Sequence, residues 1–139
     1  MRANVVITPL VRFRIDFGTR CCVGPGKIAL LEAIHRTGSL SQAARDLGMS
    51  YRRAWQLASS LNASFHNTIV LLTRGGRGGG GAQLTSVGRE LISQYRTFEG
   101  DIQARAERAF RALSGEARKR SRSAATAPII RLSSRRAAE

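Results

Sequence analysis

Ser39-Leu40-Ser41-Gln42 follows Gly38, and Ser50 follows Gly48-Met49. In one short span the chain therefore stops a helix, starts a second and starts a third. In the S-x-x-Q form, the Ser hydroxyl and the Gln amide satisfy free backbone amides at a helix start. The second helix carries Ala43, Ala44 and Leu47. The third, capped by Ser50, runs through Tyr51, Arg52, Arg53, Ala54, Trp55, Gln56 and Leu57 to about Phe65. Two short helices around a three-residue turn trace a helix-turn-helix. Ala44, Gly48 and Ala54 suit it, because the crossing helices need small residues and the turn needs backbone freedom.

The flanks complete an architecture. Val11, Phe13, Ile15 and Phe17 alternate with Arg12, Arg14 and Asp16, the period of a short strand with one buried face. Gly24-Pro25-Gly26 opens a helix with Ile28, Leu31 and Ile34 on one stripe, Leu30 beside it and Gly38 as its stop. Ile69 to Thr73 and Ala82 to Thr85 read as strands on either side of the glycine-rich run Arg74 to Gly81, which describes a wing. From Val87, the residues Leu91, Tyr95, Phe98, Ile102, Ala109 and Leu113 recur at spacings of three, four or seven, a heptad-like stripe on about 40 Å of helix. The predicted fold is mainly α with a small β wing: a winged helix-turn-helix head over residues 1–86, a long C-terminal dimerisation helix over 87–113, and a basic, disordered tail over 114–139. The head has no evident surface to bury so long a stripe, so a homodimer joined through it is expected.

Charge narrows the partners. Lys and Arg number 23 against 9 Asp and Glu, a formal net charge of +14. Residues 114–139 hold 7 of the basic and 2 of the acidic groups, so residues 1–113 keep +9 and the head itself is basic. A polyanion is the natural partner, and with this fold the polyanion is double-stranded DNA. No run approaches the roughly 18 apolar residues of a membrane span, and Met1 to Thr8 lacks the apolar core of a secretory signal. A cytoplasmic protein with no membrane partner is expected.

Catalysis has no visible address. Cys21 and Cys22 are adjacent, a spacing that rarely meets disulfide geometry or supplies a four-ligand metal site, and they read as reduced thiols near a turn. His35 and His66 lack acidic or cysteine partners at ligand spacing, and no Ser, His and Asp arrangement suggests a triad. The glycine run lacks the G-x-x-x-x-G-K-[ST] order of a nucleotide-binding loop. No enzyme, cofactor or metal is expected.

The DNA-binding residues expected from this pattern are Ser50, Tyr51, Arg52, Arg53 and Gln56 at the start of the third helix, with Arg74 and Arg77 on the wing. In such folds the start of that helix enters the major groove, where Arg reads guanine and Gln reads adenine. The bland alternative is a solvated face with ordinary surface arginines. Arg74 and Arg77 sit where a compliant tip meets phosphates or a minor groove. Trp55 and Tyr51 read first as packing and helix-anchoring residues, and Trp55 is given no DNA role.

At Gly38-Ser39-Leu40-Ser41-Gln42-Ala43-Ala44, at Ser50-Tyr51-Arg52-Arg53-Ala54-Trp55, and above all at Gly75-Gly76-Arg77-Gly78-Gly79-Gly80-Gly81-Ala82 followed by Leu84-Thr85, the chain resembles the N-terminal domain of ModE-type molybdate-responsive regulators. The resemblance spans roughly residues 11–113. It implies a LysR-like winged helix that dimerises through the long helix after the wing. Such regulators often carry C-terminal oxyanion-binding domains, whereas a basic tail follows Leu113 here, so the chain alone is not expected to bind molybdate. Leu71 and Leu72 stand where polar residues including a Glu are expected, which implies a different packing of the hairpin. Two other functions fit parts of the pattern: a nonspecific architectural nucleoid protein, and an oxyanion-binding protein of molybdenum metabolism. The first needs no base-reading Arg and Gln, and the second needs converging donors that the sequence does not offer outside the wing.

Overall fold

Burial of Ile28, Leu30, Leu31, Ala33 and Ile34 places α1 (Pro25–Thr37) at the centre of the computed structural model, which describes residues 7–73 and 80–114. Pro25 sits in the first turn of α1, where a missing N–H costs nothing. Gly38 ends it in the left-handed conformation, φ 67°, with its N–H donating to the Ile34 carbonyl at 2.8 Å.

Two shorter helices follow, α2 (Leu40–Asp46) and α3 (Tyr51–Ser64). Ala43, Ala44, Ala54 and Ala58 are all buried, so small side chains stand where these helices meet the core. The Ser39 hydroxyl accepts from the Gln42 N–H at 3.2 Å. The expected reciprocal bond from the Gln42 side chain does not form. Its amide donates instead to Asp46 Oδ1 at 2.8 Å, a charged acceptor one turn on, while Thr37 Oγ1 takes the Ser39 N–H at 3.3 Å. Leu47, expected on the buried face beside Ala43 and Ala44, is 36% exposed because α2 ends at Asp46 and Leu47 has left the helical path.

The N-terminal alternation runs as expected in exposure but pairs over less of its length. Arg12, Arg14 and Asp16 are exposed, with Val11, Phe13 and Ile15 partly covered. Only β1 (Ile15–Phe17) forms a ladder, antiparallel to β2 (Cys21–Val23) with Ile15 opposite Val23. Phe17, assigned to the inner face, is exposed beside the turn and touches Phe65 edge-on at 5.3 Å. Cys21 and Cys22 lie in this second strand, directly after the turn at residues 18–20; both thiols are free, Cys21 buried and Cys22 half-buried.

The wing stem pairs β3 (Val70–Leu72) with β4 (Ala82–Leu84), Val70 opposite Leu84. Val70, Ala82 and Leu84 face the core, and Leu71 and Leu72 are exposed, opposite Gln83 and Ala82. Arg74 and Arg77 lie outside the described residues. The stem is fastened on three sides. Asn62 of α3 donates to the Val70 carbonyl at 2.8 Å, and its Oδ1 accepts from the Ile69 and Val70 amides at 2.9 Å each. The Gly38 carbonyl accepts from the Ala82 N–H at 2.9 Å. Thr85 donates from its amide to the Ile69 carbonyl at 3.1 Å and from its hydroxyl to Thr68 at 2.6 Å.

Thr85 also caps α4 (Ser86–Ala109), accepting from the Gly88 N–H at 3.1 Å. At Gly88 a Cβ would lie 2.5 Å from the Ile69 carbonyl oxygen, so only glycine lets α4 start so close to the wing. The helix expected to run unbroken to Leu113 ends at Ala109, Phe110 caps it, and α5 (Arg111–Ser114) follows. The expectation that the head leaves the whole stripe uncovered is corrected at its middle. Tyr95 is 2% exposed, because the N-terminal segment crosses α4 and stacks Phe13 on it at 4.6 Å. The Tyr95 hydroxyl donates to the Phe13 carbonyl at 2.9 Å, and burial pushes its pKa up. Gln103 fixes the same segment by donating to the Pro9 carbonyl and accepting from the Val11 amide. Leu91 and Ile92 pack against the core, and Ile102 is partly covered, whereas Phe98, Ala109 and Leu113 stay exposed.

Asn62→Ala removes one donor and a doubly used acceptor from partly buried backbone groups, each costly to leave unmade. It is expected to lower stability by about 2 kcal/mol, measured by urea denaturation, and to raise hydrogen exchange at the Ile69 and Val70 amides selectively.

Candidate nucleic-acid interface

The three buried residues of α3, Ala54, Ala58 and Leu61, lie on one side of the helix. At about 100° per residue, Arg52 and Gln56 fall on the opposite side, one turn apart, and Arg53 on a flank. All three are exposed. Tyr51 and Trp55 fall on the other flank, with Asn62, toward the wing stem. Ser50 sets where this surface begins: its hydroxyl accepts from the Arg53 N–H at 3.1 Å, so the helix starts at Tyr51 and its first two turns carry every α3 residue predicted from sequence. The structure thus brings Ser50, Tyr51, Arg52, Arg53 and Gln56 together.

Trp55 and Tyr51 are not packing residues in this chain. Trp55 is 49% and Tyr51 55% exposed, and together with Leu40, Leu72, Thr73, Gly80 and Gly81 they line a groove between α3 and the wing stem. The i,i+4 spacing of the two aromatics was the available sign that they share a flank. The phase set by Ala54 and Leu61 puts them off the buried side; the expectation of packing came from residue type alone.

Electrostatics divides the molecule in two. Residues 47–89 contain no Asp or Glu. Among the described residues no acidic side chain pairs with Arg52 or Arg53. Acids on α1, α2 and α4 are engaged by basic or amide side chains. Glu32 on α1 takes a forked contact from Arg96 on α4, both bonds 2.7 Å, and Glu99 takes a third from the same guanidinium. These bonds hold the Glu32 carboxyl below its usual range and push the Arg96 guanidinium up. Asp46, the acid nearest α3 in sequence, is held low by the Gln42 amide and by Arg36 at 3.1 Å. Cationic charge on the α3 face is therefore uncompensated, which is what a polyanion requires and what folding alone does not. Among the described residues no group of three His, Cys, Asp or Glu side chains is placed to hold a metal, and no helix is long and apolar enough to cross a membrane.

A helix crossed by its predecessor, presenting an acid-free arginine face and followed by a fastened β-hairpin stem, defines a winged helix-turn-helix domain. Residues 26–89 match the bacterial regulatory helix-turn-helix proteins of the lysR family. Its relatives include the molybdenum transport protein ModE of Azotobacter vinelandii, 36% identical over 71% of this chain and 37% of that protein. The DNA-binding transcriptional dual regulator ModE of Escherichia coli K12 is 40% identical over 68% of this chain and 34% of its own length. The molybdenum-pterin-binding protein MopA of Rhodobacter capsulatus is 44% identical over 58% of this chain and 30% of its own. The chain thus spans about a third of the length of the curated relatives it matches.

Ser50→Ala leaves the Arg53 amide without its acceptor at the start of α3. The expected cost is about 1 kcal/mol in thermal or chemical unfolding, with Ser50→Asp restoring most of it.

Proposed function

We propose that this chain is a cytoplasmic, sequence-specific DNA-binding regulator of transcription that acts as a homodimer, linked to molybdenum metabolism, and that it has no catalytic role. The observation that carries the reading is the outer face of α3, exposed, capped at its entry and with no acidic side chain paired to its arginines among the described residues. Arg52 and Gln56, opposite the buried alanines, are assigned to base edges, and Arg53 on the flank to a base or the adjoining phosphate. Arg74 and Arg77 are assigned to the backbone on sequence grounds. The link to molybdenum rests on the names of the relatives, among them a molybdenum transport protein and a molybdenum-pterin-binding protein.

Duplex binding is expected to fall on the order of 10³-fold or more between 50 and 200 mM salt, the loss that about 6 to 10 phosphate contacts produce. Arg52→Ala should then cost about 1–3 kcal/mol on the preferred site and relax the preference at one base pair. A flat salt titration, or equal weakening on preferred and random duplexes, defeats sequence reading by this face.

The proposed dimer uses the part of the stripe that the head leaves uncovered. α4 is 24 residues long, or about 36 Å, and Phe98 on it at 49% exposure and Leu113 on α5 at 61% stand beyond the buried Tyr95. With Ile102 and Ala109 they are assigned to the seam; Leu91 packs against the core at its edge, and Tyr95 supports it from beneath, through Phe13 and Phe98, which meet edge-on at 5.3 Å. Light scattering should give twice the chain mass for the wild type and the chain mass for Phe98→Asp/Ile102→Asp. The same mass for both proteins removes α4 from the interface.

A further inference from the structure

We infer that Tyr51 and Trp55 form a thymine-reading pocket, in which the groove between α3 and the wing stem takes up the 5-methyl groups of thymine in the major groove. The inference rests on the DNA-binding reading above and adds the base it selects. Both rings are about half exposed although the core is complete without them, and among the described residues neither stacks on another aromatic ring. Among the described residues, their groove is lined by Leu72, the buried Leu40, Thr73 and the backbone of Gly80 and Gly81, none of which carries a charge. A stacked base presents only its edge, and the one apolar group that any base pair offers in the major groove is the thymine methyl. Trp55 lies one turn beyond Tyr51 on the flank beside Arg52 and Gln56, so methyl contacts on this flank would fall next to the base pairs that those two residues address.

The test starts from a duplex enriched by the full chain from a random library. Each thymine is then replaced singly by deoxyuridine, which keeps every hydrogen-bonding group and removes only the methyl. Wild-type affinity should drop roughly fourfold at each contacted position, the change expected for losing one buried methyl, and stay level elsewhere. In Trp55→Ala the drop at its position should vanish, while the response to changing the guanine or adenine read by Arg52 or Gln56 persists. Should that variant fold poorly, the wild type still decides. The chain has one tryptophan, so its emission reports this site alone and should change more on saturation with the thymine duplex than with the deoxyuridine one. An enriched site indifferent to every deoxyuridine replacement, or equal emission changes with both duplexes, overturns the methyl pocket and leaves sequence-specific binding intact. Failure to enrich any sequence overturns both.

Discussion

Asn62 spends its whole amide on the wing. One α3 side chain donates to the Val70 carbonyl and accepts from two successive amides, so the hairpin stem cannot tilt against α3 without breaking three bonds at once. The second fastening, from Gly38 to Ala82, ties the stem to the turn that ends α1. The third, through Thr85 and the Gly88 approach to Ile69, ties it to the start of α4. In each fastening it is backbone of the wing stem that is held, by the Asn62 side chain from α3, by the Gly38 carbonyl from the end of α1, and by Thr85 at the start of α4. The relative placement of reading helix, wing and long helix follows from hydrogen bonds with little freedom to move, which is the condition for presenting a recognition surface already in shape.

On that scaffold the distribution of charge separates two kinds of arginine. Arg96 is consumed in holding α1 to α4 through Glu32 and Glu99. Its forked geometry makes it more useful than an isolated surface pair, though exposure keeps the contribution modest. Arg52 and Arg53 differ in having nothing acidic near them in a stretch that runs from residue 47 to residue 89. Folding gains nothing from two adjacent unpaired guanidinium groups on one helical turn, and their mutual repulsion is relieved only when a polyanion approaches. The same stretch includes both wing strands, so the acid-free zone covers the stem as well as the helix.

How much of this was legible in the sequence depends on the range of the interaction. Ser50 and Gly38 act through atoms within a few residues, and their roles were readable from local capping chemistry. Ser39 was half readable: its own bond is local, but the partner of Gln42 was decided by Asp46 and by Thr37, which compete from either side. Asn62 was invisible, because an asparagine in a helix carries no sign of the strand it will meet. The β2 strand was missed for a related reason: Cys-Cys-Val is too short to show a period and is defined only by its pairing with Ile15 to Phe17. Trp55 and Tyr51 were misjudged because large aromatics are usually packed, and only the phase set by Ala54, Ala58 and Leu61 shows that these two fall off the buried side. The caps that start and stop the helices were therefore legible, and the long-range supports that aim α3 and the wing were not.

The N-terminal segment changes what the long helix has to offer. Phe13 on Tyr95, the Tyr95 hydroxyl on the Phe13 carbonyl, and Gln103 on Pro9 and Val11 lay this segment across α4 in three successive places. Part of the stripe is thereby buried within one chain, and the apolar residues left outside, Phe98, Phe110 and Leu113, shift toward its C-terminal end. Leu10, 72% exposed, extends that surface from the crossing segment itself. A partner that covers these residues would meet a composite face of helix and N-terminal strap, with Phe13 touching both Tyr95 inside and Phe98 at the edge. In the proposed dimer, the spacing between the two reading helices would then depend on how firmly the strap is held as well as on the length of α4. Gln103 and Tyr95, which contact no DNA in this reading, would set the separation of half-sites that the protein accepts.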